Sequence, residues 1–199
     1  MRTYNFFVVE VEKQLQDTMT TEGGLELYID TRFNEFEHRT QSGKVVAVPF
    51  KYDTGVKVGD ELYFHHRVIL QEGQALTGYD NHYLVSYHES DAVESQAIAY
   101  KCQETGEVHP MSSWHLLEQI QDDREETSDS IEVVHLKEKP ITRGRVCFDT
   151  KFTKELGIKK GDVVVFPKNH DYDVKVDGKS YGRVPTKSLL YVETPETVL

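Results

Sequence analysis

The sequence is poor in cysteine and has no long apolar run. Cys102 and Cys147 are the only cysteines in 199 residues. They are too far apart for a CxxC redox or zinc motif and too few for a disulfide scaffold, so we expect two buried thiols. No stretch approaches the roughly 18 apolar residues of a membrane span. The first residues lack the basic start and long apolar core of a signal peptide. We therefore expect a soluble, cytoplasmic protein.

Basic residues are also scarce. The chain has 23 Lys and Arg against 34 Asp and Glu, a formal net charge of -11. Binding to a phosphate backbone or an anionic membrane needs clustered Lys and Arg. The charge balance disfavours both classes of partner and favours a protein or a neutral ligand.

Catalytic motifs are missing as well. The sequence contains no GxGxxG, GxxxxGK[ST], HExxH or GxSxG pattern, which leaves dinucleotide, phosphate-loop, zincin and hydrolase sites without support. Nine histidines invite a metal hypothesis, above all His65, His66, His82 and His88 near Asp80. Strand alternation predicts that His65 and His66 face opposite sides. We expect surface or loop histidines, no metal and no enzyme.

Alternating apolar and polar residues are abundant, and they indicate an all-β protein. One segment, "SSWHLLEQIQ" from Ser112, fits a helix or an edge strand equally well. The predicted strands are "FFVVEVE" (6–12), "KVVAVPF" (44–50), "ELYFHH" (61–66), "YLVSYH" (83–88), "GRVCFD" (144–149), "DVVVFP" (162–167) and "SLLYVE" (188–193).

The two halves of the chain resemble each other at a spacing near 100 residues. "SGKVVAVPFKYDTGVKVGDELYFHH" matches "TRGRVCFDTKFTKELGIKKGDVVVFPKNH", and "NFFVVEVE" matches "SWHLLEQI" more faintly. The repeat predicts two small β-barrels, over residues 1–104 and 110–199. The aligned pairs are Gly43 with Gly144, Gly59-Asp60 with Gly161-Asp162, and Phe64 with Phe166.

Turn residues recur at fixed places in this pattern. The glycines of "VKVGD" and "IKKGD" are expected to take positive φ, and the Asp that follows each can accept hydrogen bonds from local backbone N–H groups. Asp177-Gly178 lies between two alternating arms, a strong signal for a hairpin. Because the residues of these arms are mostly polar, we expect this hairpin to project from its barrel.

The order of these motifs resembles the GroES co-chaperonin family. The matching residues in the first half are Gly23-Gly24 with the apolar patch 25–27, "GKVVAV" (43–48), "VKVGDELYF" (56–64) and "HESDAV" (88–93). The second half repeats the plan through "GIKKGDVVVF" and "DYDVKVDGKSYGRVPTKSLLYV". The resemblance covers nearly the whole chain as two tandem copies, similar in plan to the double-domain co-chaperonins of plastids.

The resemblance implies a ring-forming lid that caps a GroEL-type chaperonin and encloses unfolded client proteins. Residues 14–40 would form a mobile docking loop, in which Gly23 and Gly24 supply looseness and Leu25, Glu26 and Leu27 bind the chaperonin. A shorter acidic loop at 121–130 precedes a possible second anchor, Ile131 and Val133. No cofactor is implied, because ATP is used by the partner.

Three alternatives stay open on the residues alone. Leu25, Leu27 and Ile29 also fit an ordinary half-buried strand. The segment "FTKELGIKKGDVVVF" resembles the AbrB-type DNA-binding element, with a modest lysine cluster at positions 151, 154, 159 and 160. A tandem barrel with a structural or ligand-binding role, which no longer docks a chaperonin, is the third.

Overall fold

The chain is mostly β, as the alternation predicts. The computed structural model describes residues 1–21, 23–31, 38–70, 74–90, 93–111, 114–120 and 141–193. The chain divides into two compact units. The first consists of Met1–Ser113 with Val174–Lys179, and the second of Trp114–Asp173 with Ser180–Leu199.

The first six-stranded sheet is antiparallel and has the strand order β6-β1-β4-β5-β7-β8. A short helix, α1 (Arg67–Leu70), follows β5, and two further strands form a separate sheet of their own. The strands of this half are β1 (Phe6–Glu10), β2 (Thr18–Thr20), β3 (Glu26–Tyr28), β4 (Ser42–Ala47), β5 (Glu61–Phe64), β6 (His82–Ser86), β7 (Ala97–Lys101) and β8 (Val108–Pro110).

The first unit has one large cluster of buried apolar residues. Phe7, Val9, Val45 and Phe64 are fully buried in one cluster, as inward positions of alternating strands should be. Full burial of each such side chain contributes about 1.5–3 kcal/mol. Tyr87 joins the cluster, and burial raises the pKa of its hydroxyl to about 12.

The second six-stranded sheet has the order β12-β13-β9-β10-β11-β14. Its core contains Leu117, Val164, Phe166 and Val184. The strands are β9 (Trp114–Gln119), β10 (Ile141–Val146), β11 (Val163–Pro167), β12 (Tyr172–Val176), β13 (Lys179–Pro185) and β14 (Tyr191–Glu193), with a helix α2 (Lys151–Glu155) and a 3-10 turn (Thr186–Ser188).

Strand β9 corrects one expectation. It is neither a helix nor an edge strand, because it pairs with β10 on one side and β13 on the other. Its first four residues, Trp114 to Leu117, are all buried. His115 among them is only 2% exposed, and burial lowers the pKa of its imidazole to about 4.

Five strands run in the same order in both sheets. The order β6-β1-β4-β5-β7 of the first corresponds to β13-β9-β10-β11-β14 of the second. The register agrees as well, since Gly43 pairs with Leu62 between β4 and β5, and Gly144 pairs with Val164 between β10 and β11. The residues that align in the sequence therefore take equivalent places in the two sheets.

The predicted Gly-Asp turns are confirmed. Gly59 has φ 102° and Gly161 has φ 98°. The Asp60 carboxylate accepts from the Lys57 N–H at 2.8 Å, and the Asp162 carboxylate accepts from the Lys159 N–H at 2.9 Å. The backbone N–H groups of Lys57 and Lys159 thus make equivalent hydrogen bonds in the two turns.

Two further expectations need correction. Cys102 and Cys147 are both half-buried instead of buried. The hairpin turn at Asp177-Gly178 forms with φ 50° and 75°. A two-residue type I′ turn requires positive φ at both of these positions. The expectation that its arms are too polar to fill a core is wrong, since Val174 and Val176 are buried, whereas the projection of the hairpin stays a prediction.

Candidate docking hairpin

The apolar patch at residues 25–27 lies on a β-hairpin. Strands β2 and β3 pair antiparallel, with Thr18 opposite Tyr28 and Thr20 opposite Glu26. At the turn the Thr21 N–H donates to the Leu25 carbonyl at 2.9 Å, and the Leu25 N–H donates to Thr21 Oγ1 at 3.1 Å. Regular pairing thus occurs where the sequence indicates a loose loop.

Backbone pairing continues from this hairpin down to the main sheet of the first unit. The Ile29 N–H donates to the Asp17 carbonyl at 2.7 Å, and the Thr40 N–H donates to the Gln14 carbonyl at 3.0 Å. Gln14 Nε2 also donates to the hydroxyl of Tyr83 on β6, at 2.7 Å. These bonds fix the base of the hairpin to the sheet through β6.

The two predicted anchors are exposed. Leu25 is 63% exposed and Leu27 is 41% exposed, and residues two apart on an extended strand share a face. Ile29 continues this face and is half-buried. The alternative of a half-buried strand therefore fits Ile29 and does not fit the two leucines.

The glycine pair lies at the hairpin turn, where both residues are exposed. Gly24 has φ 79°, a left-handed conformation that favours glycine. Its N–H donates to the Thr21 carbonyl at 2.9 Å. Gly24 thus shapes a defined turn, while the predicted mobility of residues 14–40 stays a prediction.

The opposite face of β3 carries one predicted residue and one that the sequence reasoning missed. Glu26, a predicted contact, is exposed on this face. Tyr28 lies beside it with 83% of its surface exposed. The period of two from Leu25 was enough to place Tyr28 with Glu26 and away from the leucines. Tyr28 was missed because only the apolar residues at 25, 27 and 29 were considered.

The predicted second anchor cannot be compared with the first. Ile131, Val133 and the acidic loop at 121–130 lie outside the described residues.

The strand pattern predicts the wrong arrangement for His65 and His66. Strand β5 ends at Phe64, so alternation no longer applies to His65 and His66, and their rings lie 4.3 Å apart instead of on opposite sides. His82 Nδ1 lies 2.6 Å from the Asp80 carbonyl oxygen. Within the described ranges, no group of three or more His, Cys, Asp or Glu side chains is placed to hold a metal ion.

The segment that resembles an AbrB element forms helix α2, a turn and strand β11. Thr150 caps the helix by accepting from the Thr153 N–H at 3.0 Å, and the four lysines of the cluster are exposed. The Gly-Asp turn at its centre has an equivalent in the first unit, and the DNA-binding alternative stays a prediction.

In the part of the chain that the structure describes, no helix is long and apolar enough to cross a membrane. A scan against protein-family models and a search of the curated proteins found no match to this chain.

Proposed function

We propose that this protein is a co-chaperonin of the GroES type, a lid that caps a GroEL-type chaperonin ring and encloses client proteins. Each unit is then a GroES-like barrel, and the hairpin of β2 and β3 is the docking element. The observation that carries the proposal is the pair Leu25 and Leu27, exposed on one face of a hairpin that forms a sheet of its own.

The energetics of this hairpin suit a reversible contact. Burial of one leucine contributes about 1.5–3 kcal/mol, whereas ordering of one backbone residue costs about 1–2 kcal/mol. Pairing between β2 and β3 before docking lowers that cost, but one hairpin still binds weakly. Several hairpins on one ring would bind together at high effective concentration, and the lid could still leave during the partner's ATP cycle.

Self-association into a ring belongs to the same proposal. Strand β7 is paired on both sides, with β5 and β8. Its counterpart β14 pairs, among the described residues, with β11 alone. An uncovered strand edge invites pairing with another chain. Leu190 and Tyr191 there are 54% and 51% exposed.

The lid would have no active site and no cofactor of its own.

Replacement of the leucines tests the docking role. Leu25→Asp or Leu27→Asp should weaken binding to a purified GroEL-type chaperonin with ATP by about tenfold to 100-fold or more, because each loses the burial of one leucine. Val58→Asp is the matched control, since Val58 is 62% exposed on a turn of the same unit. It should bind as the unchanged protein does.

Two results would contradict the proposal. One is no binding of the unchanged protein to the chaperonin in biolayer interferometry with ATP. The other is a loss of folding in the leucine variants, seen by circular dichroism, which would make these residues part of the core. Amide hydrogen exchange of residues 14–31 should slow on mixing with the chaperonin, whereas the exchange of β4 should not change.

A further inference from the structure

We infer that the partner holds the hairpin from both faces, and that Glu26 and Tyr28 together bind an arginine side chain of the partner. This inference rests on the proposed docking role. It adds a second contact, polar and aromatic, to the leucine face. The partner site is then a cleft with an apolar wall on one side and a guanidinium group on the other.

The exposure of Tyr28 is the first observation behind this inference. At 83% it exceeds every other exposed large hydrophobic residue in the described ranges. Its register partner is Thr18, which is too small to cover the ring. A tyrosine carries a large apolar surface with a polar tip, and tyrosines dominate binding energy where they become buried in interfaces.

Tyr28 also has no contact that would explain it as a structural residue. No hydrogen bond or ring contact joins its side chain to another described residue. Other tyrosines of the first unit do have such contacts. Tyr83 accepts a hydrogen bond from Gln14, and Tyr52 packs edge-on against Tyr87 at 5.4 Å. The ring and hydroxyl of Tyr28 are therefore available to a partner.

The spacing of Glu26 and Tyr28 selects the chemistry of that partner group. Residues two apart on a strand lie on one face, about 6.5–7 Å from each other. A guanidinium group spans this distance, because it forms a bidentate pair with a carboxylate and can also lie over an aromatic ring. An ammonium group is a compact point charge and does so less well.

Charge supports an arginine over an apolar group at this position. Glu26 is adjacent to the ring, so a purely apolar wall would remove water from its carboxylate without a replacement partner. Burial of an unpaired charge is costly. The partner therefore needs a cation beside Glu26, and the ring of Tyr28 covers the apolar part of that cation.

The test measures binding of the full-length protein to a purified GroEL-type chaperonin with ATP. Tyr28→Ala should weaken binding about tenfold, and Glu26→Gln about threefold to tenfold. Tyr28→Phe should bind as the unchanged protein does, because the ring face is kept. The double variant should lose less than the product of the single losses, since both residues hold one group.

Two matched controls separate this surface from general exposure. Tyr79 is 54% exposed elsewhere in the first unit, and Glu12 is an exposed acid just before the hairpin. Tyr79→Ala and Glu12→Gln should leave the affinity within about twofold. Higher salt should weaken the unchanged protein more than Glu26→Gln, because the pair is partly screened.

The outcomes distinguish the inference from the proposed function. If Leu25→Asp abolishes binding while Tyr28→Ala and Glu26→Gln stay within twofold, the second contact is wrong and the docking role stands. Additive losses in the double variant would also overturn the shared arginine. If the unchanged protein does not bind, the docking role fails and this inference with it.

Discussion

Asp60 and Asp162 occupy the same place in the turns of the two units, yet the first is buried and the second is half-buried. Both accept from the N–H three residues earlier. Asp60 also accepts a second hydrogen bond, from the Gln103 N–H at 2.9 Å. Gln103 lies just beyond the end of β7. The turn itself thus needs only neighbouring residues, whereas its contribution to stability depends on bonds from other parts of the unit, such as that from Gln103.

The largest expected difference follows from this pair of turns. Asp60→Ala removes two bonds to a charged acceptor and leaves two N–H donors without it, so we expect a loss of about 3 kcal/mol in the stability of the first unit. Asp162→Ala removes one bond at a half-exposed site and should cost about 1 kcal/mol.

Urea unfolding can separate these two effects. Trp114 is the only tryptophan and lies in the second unit, so its fluorescence follows that unit. Amide hydrogen exchange of Val45 and Leu62 follows the first. Equal losses in the two variants would show that the Gln103 bond adds nothing.

The paired glycines offer a smaller difference. A Cβ on Gly43 would lie 2.8 Å from the Glu10 carbonyl oxygen, whereas the three atoms nearest to one on Gly144 belong to side chains, of Leu117 at 3.0 Å and Phe166 at 3.4 Å. Backbone yields less readily than a side chain. We expect Gly43→Ala to cost about 2 kcal/mol and Gly144→Ala about 1 kcal/mol, measured by the same two probes. The reverse order would contradict the steric difference between the two positions.

The last expected effect depends on pH and concerns a position where the repeat differs. Phe7 in β1 corresponds to His115 in β9, which is buried and lies 2.8 Å from Thr186 Oγ1 through Nε2. Burial lowers the pKa of His115 to about 4, below its ordinary value. As the pH falls below 6.5, the unfolded chain binds this proton and the folded chain does not, so stability falls.

His115→Phe should therefore remove a pH dependence of up to about 1.4 kcal/mol per pH unit between pH 6.5 and 4. The carboxylates also titrate there, so the quantity to compare is the slope of stability against pH in the two proteins, from Trp114 fluorescence in urea. An unchanged slope would mean that His115 binds its proton in the folded state.

The sequence predicts those parts of the fold that depend on neighbours along the chain. Gly59, Gly161 and the Asp177-Gly178 turn were predictable, because positive φ and short-range hydrogen bonds need only a few adjacent residues. Strand β9 was not, because Trp114 to Leu117 are all buried and show no alternation. Its central place depends on β10 and β13, which are distant in sequence.

The candidate site was predictable to a similar degree. The spacing of Leu25 and Leu27 identified one exposed face, since period two does not depend on the rest of the fold. The pairing of Thr18–Thr20 with Glu26–Tyr28 was missed, because β3 is exposed along its whole length and burial leaves no pattern in its sequence. Tyr28 stands out only through its exposed fraction of 83%.

The hairpin of β2 and β3 has a consequence for how such a protein can change over evolutionary time. Leu25 and Leu27 are outside the core of the first unit, so under the proposed docking role substitutions there would alter partner choice at little cost in folding stability. A lineage could then adapt this segment to a different partner through a few mutations, while the sheets that carry it remain under separate selection for folding.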